Sequence, residues 1–327
     1  MSTTFSRLSH IDVRALEQPP RLIMNPHAGQ KLGMATNTSD ADTVLAALRA
    51  VGVEATLCPT ERPKHATDLA REAVNDGCKL VIAAGGDGTV SETAEGLIGT
   101  DTALGIMPLG SIMNMARTLC IPRDLTQAAE VIAAGRVLAM DAGRVSNALF
   151  LEAAGVGLAA ALFGYFERLD SGRARIRSVM RGLWRFLTNL GRPRLILDID
   201  GQRVQTQAGM VTIANGPFVG AAYALAPEAL VDDGLLDVVV FRGASVPRML
   251  VHMVLVAGGR RLPPPPQAQV WRARTVEVMT RRRRQLPVHA DGSVIGATPA
   301  RFDVLPAALH VVIGVPAPNA TCAWAQE

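Results

Sequence analysis

Residues 81–92, VIAAGGDGTVSE, set one carboxylate, Asp87, among Gly85, Gly86 and Gly88, after an apolar run and before residues able to open a helix. Glycines in such a turn leave backbone N–H groups open to phosphate oxygens, because no Cβ stands in the way. A carboxylate beside a polyphosphate is repelled unless a cation lies between them. Asp87 therefore reads as a Mg²⁺ ligand, directly or through water, or as a base toward an incoming hydroxyl. Thr89 adds a hydroxyl to the phosphate. The plain alternative is a tight loop capped by an aspartate. Asp291 in VHADGS and Asp233 in VDDGLL also stand next to glycine. A hairpin turn accounts for the first and a tight turn before a strand for the second.

The elements around Asp87 alternate. Leu22 to Met24 reads as a strand. Ser39 caps a helix carrying Val44, Leu45 and Leu48, and Gly52 stops it. Val53 to Leu57 is a second strand, residues 64–76 a helix, Leu80 to Ala84 a buried strand, residues 91–98 a helix, and Ala103 to Met107 a strand. Such alternation implies a parallel sheet covered on both faces. After about residue 140 the pattern changes to β-rich runs, with Asp200-Gly201 as a hairpin signal in RLILDIDGQRVQTQ. The expected fold is an α/β domain over 21–140 and a β-rich antiparallel sandwich over 141–315. Residues 1–20 are expected as a loose tail, and 316–327 as a tail that can pack back on the first domain. Pro263 to Pro266 reads as a stiff surface connector. Residues 163–186 mix Phe163, Tyr165, Phe166, Trp184 and Phe186 with six arginines, an amphipathic helical excursion that reads as core plus solvated face slightly ahead of lipid contact.

Composition bounds the partners. The chain has 327 residues, enough for two domains, with 49% hydrophobic and 19% charged residues and a formal charge of +4. A mild basic excess permits an anionic partner without choosing one. The four cysteines form no CxxC pair, which points to reduced thiols and a cytosolic compartment. The N-terminus lacks the apolar core of a signal peptide. No uncharged apolar run reaches about 18 residues. Met249 to Gly259, the longest candidate, is too short and contains His252. The protein is expected to be soluble or peripheral, at the inner face of the membrane. Arg281 to Arg284 reads as a solvated face or as a patch toward acidic headgroups. His65, His289 and His310 lack metal-ligand spacing and read as structural, and His27 as loop filler.

Seven segments occur in the order of one known family. IMNPHAG (23–29), TERPKHATDLA (60–70), GGDGTVSE, MPLGSIMNMARTLCIPRD (107–124), FLEAAGVGLAA, ANGPFVGAAYALAPEALVDDGLLDVVVF and VHADGS resemble the motifs of the diacylglycerol kinase catalytic domain family. The resemblance covers roughly residues 21–315. It implies ATP and Mg²⁺ in a cleft and transfer of the γ-phosphoryl group to a lipid hydroxyl. By matching position it implies that Asn25, Thr60, Gly85, Gly86, Gly88, Thr89 and Ser111 bind nucleotide. It implies Asp291 as general base, with Asp87 also in contention. It implies that Asp233 and the carbonyl of Leu235 hold a structural Mg²⁺. The implied partners are a lipid alcohol, most readily diacylglycerol, and an acidic membrane surface. No nucleic acid is implied, and a homodimer is compatible with the chain.

Two positions depart from the family. Ser293 stands where the family has the Glu of DGE, and Ser111 to Met115 replaces the usual Gly/Ala-Asn-Asp run, leaving Asn114 in a shifted position. These departures keep two other readings open: a soluble-substrate kinase of the NAD kinase type, and a nucleotide- or lipid-binding protein without turnover. A sphingoid amine is less favoured, because Glu152 is the one acidic residue near the matching segment and its position fits poorly.

Overall fold

A computed structural model of the chain describes residues 8–26, 30–31, 34–35, 39–170, 177, 181, 193–220, 223–242, 268–281 and 285–316. The chain divides into two compact units, Met1–Asp141 with Pro306–Glu327, and Ala142–Leu305.

The first unit opens with β1 (Leu8–His10), a 3₁₀ turn at Val13–Ala15, and β2 (Arg21–Met24). A short pair follows, β3 (Gln30–Lys31) and β4 (Met34–Ala35), then α1 (Ala41–Ala50), β5 (Thr56–Pro59), α2 (His65–Asn75), β6 (Leu80–Gly85), α3 (Asp87–Leu97) and β7 (Ala103–Pro108). After these come α4 (Asn114–Thr118), α5 (Leu125–Ala134) and β8 (Arg136–Val145). The sheet order is β5-β2-β6-β7, all parallel. The end of the last strand of the chain (Ala300–Val312) extends it in parallel, with Val311 beside Leu104. Every residue of β6 and β7 is buried, as a parallel strand covered on both faces requires.

Local chemistry sets the boundaries. The Asp40 carboxylate, not Ser39, caps α1 by accepting the N–H of Thr43 at 2.7 Å. Val53 still donates to the Leu48 carbonyl behind α1, so β5 begins only at Thr56. Asp124 caps α5 and Gly135, in the left-handed region, ends it. The helix expected over 91–98 begins four residues earlier. Val90 donates to the Gly86 carbonyl, and Asp87 is the first residue of α3 rather than a loop residue.

Two segments expected outside the first domain are part of it. Leu8–His10 pairs antiparallel with β8, in what was expected to be a loose tail. Residues from Pro306 onward belong to this unit rather than to the second, which was expected to run to 315. The fully buried Asp141 accepts the N–H of Ala307 at 2.7 Å and fixes that return.

The second unit is antiparallel. It contains β9 (Ala148–Phe150), β10 (Ala153–Gly157), α6 (Leu158–Asp170), β11 (Arg194–Ile199), β12 (Gln202–Ala214), and a short pair β13 (Phe218–Val219) and β14 (Tyr223–Ala224). These are followed by β15 (Leu236–Arg242), β16 (Ala268–Ala273), β17 (Thr275–Thr280), β18 (Pro287–Ala290), β19 (Ser293–Ala297) and the first half of β20 (Ala300–Val312), up to Leu305. Pairing runs β19-β18-β10-β12-β11-β17 and on to the start of β20, with β15 and β16 branching from β12. The Asp200-Gly201 hairpin joins β11 to β12, with Ile199 opposite Gln202. Phe150, Phe241 and Phe302, all fully buried, anchor an apolar core of Val, Ile, Leu and Ala. Of the 163–186 excursion, Phe163 packs against this core and Arg177 and Arg181 are exposed. The other side chains singled out there lie outside the described residues, as do His27, Met249 to Gly259, Pro263 to Pro266 and Arg282 to Arg284. Among the described residues no helix is long and apolar enough to cross a membrane.

Candidate active site

The nucleotide-binding residues expected from the sequence collect at one edge of the first unit. Asn25 follows β2 and Thr60 follows β5, and the N–H of Thr60 donates to the Met24 carbonyl at 2.8 Å. Gly86 follows β6, and Gly110 and Ser111 follow β7. All four strands are parallel, so these residues share the carboxyl edge of the sheet. The order β5-β2-β6-β7 reverses direction between β2 and β6, which sets Asn25 beside the glycine turn. The Asn25 N–H donates to the Ala84 carbonyl at 3.1 Å. Ligands of open α/β sheets bind at such a switch point.

The turn between β6 and α3 is shaped by close backbone approach. A Cβ on Gly110 would lie 2.7 Å from Gly86 Cα and 2.6 Å from Met113 Sδ, so the two loops touch where only glycine fits. Gly86 caps α3 without a side-chain bond. Gly88 is exposed, and a Cβ there would meet nothing within 4 Å. Gly88 is thus the open position of the first turn of α3, at the positive end of the helix dipole, which favours anions. Thr89 is buried and folded back over Gly85. Ser111 is half-buried at the start of the following bend.

Asp87 serves the neighbouring loop. Its carboxylate accepts the N–H of Met113 at 2.9 Å and that of Met115 at 3.3 Å, with the Asn114 and Asp87 amides contributing. Burial raises its pKa, and these amide bonds oppose the rise. A carboxylate has about four acceptor sites. Each oxygen of Asp87 accepts at least one backbone amide around the start of α4. Arg123 holds the same loop from the other side, donating to the Gly110 carbonyl at 2.7 Å.

Asp291 has a parallel arrangement in the second unit. It and Gly292 form the two-residue turn between β18 and β19, with φ values of 41° and 83°. Its carboxylate accepts the N–H groups of Leu151, Glu152 and Ala153 at 2.7, 3.0 and 3.1 Å. Buried Asn215, from the ANGPF motif, donates to the Leu151 carbonyl at 3.0 Å and steadies that segment. A hairpin turn alone would not aim the carboxylate into three amides. Ser293 follows the turn and is exposed.

Asp233 lies elsewhere in this unit. Its Oδ1 accepts the N–H of Leu235 at 2.9 Å. The Arg272 guanidinium lies 3.6 Å from Asp233 and 3.6 Å from Asp237. Arg272 stands directly across from Asp237 in the β15–β16 pair. Burial pushes Asp237 up to about 6, against the pull of Arg272 and with the push of Asp233. A cation of the chain itself serves this carboxylate pair. Among the described residues no three His, Cys, Asp or Glu side chains gather as metal ligands. The family resemblance implies a structural Mg²⁺ at Asp233 and the Leu235 carbonyl, and Arg272 is the cation that stands beside Asp233 among the described residues.

Arg123, Asn215, Asp237 and Arg272 carry no local signal in the sequence that marks them for these contacts. The amides of 113–115 and 151–153 carry no side-chain signature at all.

Residues 19–145 match the diacylglycerol kinase catalytic domain, and residues 167–313 match the YegS C-terminal NAD kinase beta sandwich-like domain. A diacylglycerol kinase of Bacillus subtilis (strain 168) is 28% identical over 298 residues, covering 90% of this chain and 95% of that protein. One from Staphylococcus haemolyticus (strain JCSC1435) is 28% identical over 285 residues, covering 86% and 84%. The crystal structure of a diacylglycerol kinase from Bacillus anthracis str. Sterne shares the fold, with a TM-score of 0.69 over 93% of this chain and 98% of that one, at 22% identity. The α/β unit with its parallel sheet and the antiparallel β-rich unit are the fold expected from the sequence. Residues 19–145 thus match a diacylglycerol kinase catalytic domain, and the chain is an enzyme of the lipid kinase type.

Proposed function

We propose that the chain transfers the γ-phosphoryl group of ATP to the free hydroxyl of diacylglycerol. The observation that carries this reading is the convergence of Asn25, Thr60, Gly86, Gly110 and Ser111 at the carboxyl edge of four parallel strands, beside the uncapped start of α3. There the amides of the first turn of α3 take the nucleotide phosphates, with Asn25, Thr60 and Ser111 around them. Asp87 holds the loop at 113–115 and so keeps the cradle in shape. A divalent ion such as Mg²⁺, arriving with the nucleotide, would offset the negative charge of the phosphates.

Asp291 is the general base in this reading. An alcohol is a weak nucleophile at neutral pH, and a carboxylate in hydrogen-bond reach takes its proton as the new bond forms. The acceptor oxygen bonds to the γ-phosphorus, the bond from that phosphorus to the β,γ-bridging oxygen breaks, ADP leaves and Asp291 holds the proton. The bonds from Leu151, Glu152 and Ala153 fix the carboxylate for that task. The enzyme works at a membrane surface, because its acceptor resides in one.

The test is incubation with γ-labelled ATP, Mg²⁺ and detergent micelles containing diacylglycerol. Label in phosphatidate supports the reading. Label in NAD in place of lipid would favour the soluble-substrate kinase. ATP binding with no labelled product over a panel of lipid alcohols would favour a binding protein, with exposed Ser293 as its cause.

A further inference from the structure

The second unit buries an imidazole that phosphoryl transfer, as described, does not use. His289 is 1% exposed, and neither of its ring nitrogens has a hydrogen-bond partner among the described residues. Burial draws its pKa down to about 4, so the ring is neutral at neutral pH. A neutral imidazole brings one N–H donor and one acceptor into the interior. Buried polar groups are as a rule paired. Exchanging an unpaired one for an apolar group of the same shape is neutral or stabilising. Packing therefore gives no reason for an imidazole at this position.

Its surroundings suggest one. His289 lies on β18 opposite Gly155 of β10, and a Cβ on Gly155 would sit 2.9 Å from Nε2. The ring rests on β10 where a side chain is missing. Phe163 of α6 covers it, with ring centroids 4.8 Å apart at a tilt of 51°. Phe163 also reaches the Asp291-Gly292 turn, 3.5 Å from where a Gly292 Cβ would stand. Across the hairpin from His289 is Val294, an apolar side chain that is 41% exposed. Asp291 is two residues further on, about 7 Å along the chain, and its carboxylate binds the amide of Ala153 at the start of the same β10. A carboxylate, an unpaired imidazole and apolar side chains thus follow one another along a single hairpin. A lipid ester alcohol has the matching order of groups: a hydroxyl, an ester carbonyl a few bonds away, and an acyl chain.

We propose that His289 is a positioning residue for the lipid acceptor, its ring N–H donating to an ester carbonyl once an acyl chain displaces Phe163. The proposal rests on the lipid kinase reading with Asp291 as base.

The test compares diacylglycerol with a dialkylglycerol, which keeps the hydroxyl and both chains and lacks the ester carbonyls. Kinetics are measured in the same micelles for wild type, His289→Leu and His289→Gln. His289→Leu is expected to raise KM for diacylglycerol about tenfold, and to leave KM for dialkylglycerol, KM for ATP and the melting temperature unchanged. His289→Gln, which retains a donor, recovers part of the loss. Equal effects of His289→Leu on both lipids, or no effect on either, would overturn the proposal. If wild type phosphorylates neither lipid, the lipid kinase reading fails, and the imidazole ¹⁵N resonances of His289 decide this point separately. A shift on adding diacylglycerol micelles, beyond that from detergent alone, supports the contact, and an identical response to both overturns it.

Discussion

Asp87 Oδ2 accepts the backbone N–H of Met113 at 2.9 Å, and Met113 holds a left-handed φ of 55°. The one acidic side chain of the glycine turn is thereby the clasp that joins the loop after β6 to the loop after β7. Both loops present groups to the same edge of the sheet, so the clasp sets the shape of the proposed nucleotide cradle.

Asp87→Ala orphans the amides at the start of α4. The expected cost is about 1–2 kcal/mol of stability, as for loss of a helix cap. ATP affinity is expected to fall roughly tenfold or more, since the cradle loosens. Calorimetric titration with ATP and a thermal melt measure the two effects. Undiminished ATP affinity would show that the clasp does not shape the site.

Gly110→Ala tests the same contact from the opposite loop. Its Cβ would meet backbone at Gly86 and the Met113 sulfur, both closer than van der Waals distance. The flexible thioether can yield and the backbone cannot, so a destabilisation of about 1–3 kcal/mol is expected. Gly88→Ala, where the added methyl meets nothing of the protein, is expected to keep stability. Weaker ATP binding by Gly88→Ala would place the phosphates over that amide.

Stability against pH should carry two opposed slopes. Asp237 is raised to about 6 by burial, so the folded state binds the extra proton between about pH 4 and 6, and stability falls as pH rises through that window. His289 is lowered to about 4 by burial, so the unfolded state binds the extra proton between about pH 4 and 6.5, and stability rises with pH there. In wild type the two contributions largely offset each other. Urea melts of Asp237→Asn should unmask rising stability over this window, and melts of His289→Leu should unmask falling stability. Two parallel curves would contradict the assignment.

Arg272 lies 3.6 Å from both Asp233 and Asp237 and supplies positive charge to the pair. Chelation by EDTA should stop phosphoryl transfer while leaving the melting temperature unchanged. Arg272→Ala leaves buried Asp237 without its counter-charge and is expected to cost about 1–3 kcal/mol. A melting temperature that drops on chelation would show that a metal supports the fold as well.

The alternation of strands and helices was legible because hydrophobic runs and glycine stops recur at regular spacing from Leu22 to Met107. The hairpin at Asp200-Gly201 was legible from its dipeptide. The role of Asp87 was less so, because its partners are amides that any residues could supply at 113–115. The same holds for Asp291 and its partners more than 130 positions away. Asp237 and Arg272 meet through strand register, which no local pattern encodes. The pairing of β1 with β8 was hidden by the polar texture around it, in a strand of three residues.

The central claim is that this lipid kinase phosphorylates diacylglycerol with Asp291 as the base. The most direct measurement is transfer of label from γ-labelled ATP to diacylglycerol by wild type and by Asp291→Asn, at saturating nucleotide, with a melt and an ATP titration on each. The account predicts labelled phosphatidate from wild type, a kcat lower by about 10²–10⁴-fold in the folded variant, and equal ATP affinity in both. Transfer by Asp291→Asn at the wild-type rate, or no labelled lipid from a folded, ATP-binding wild type, would contradict it.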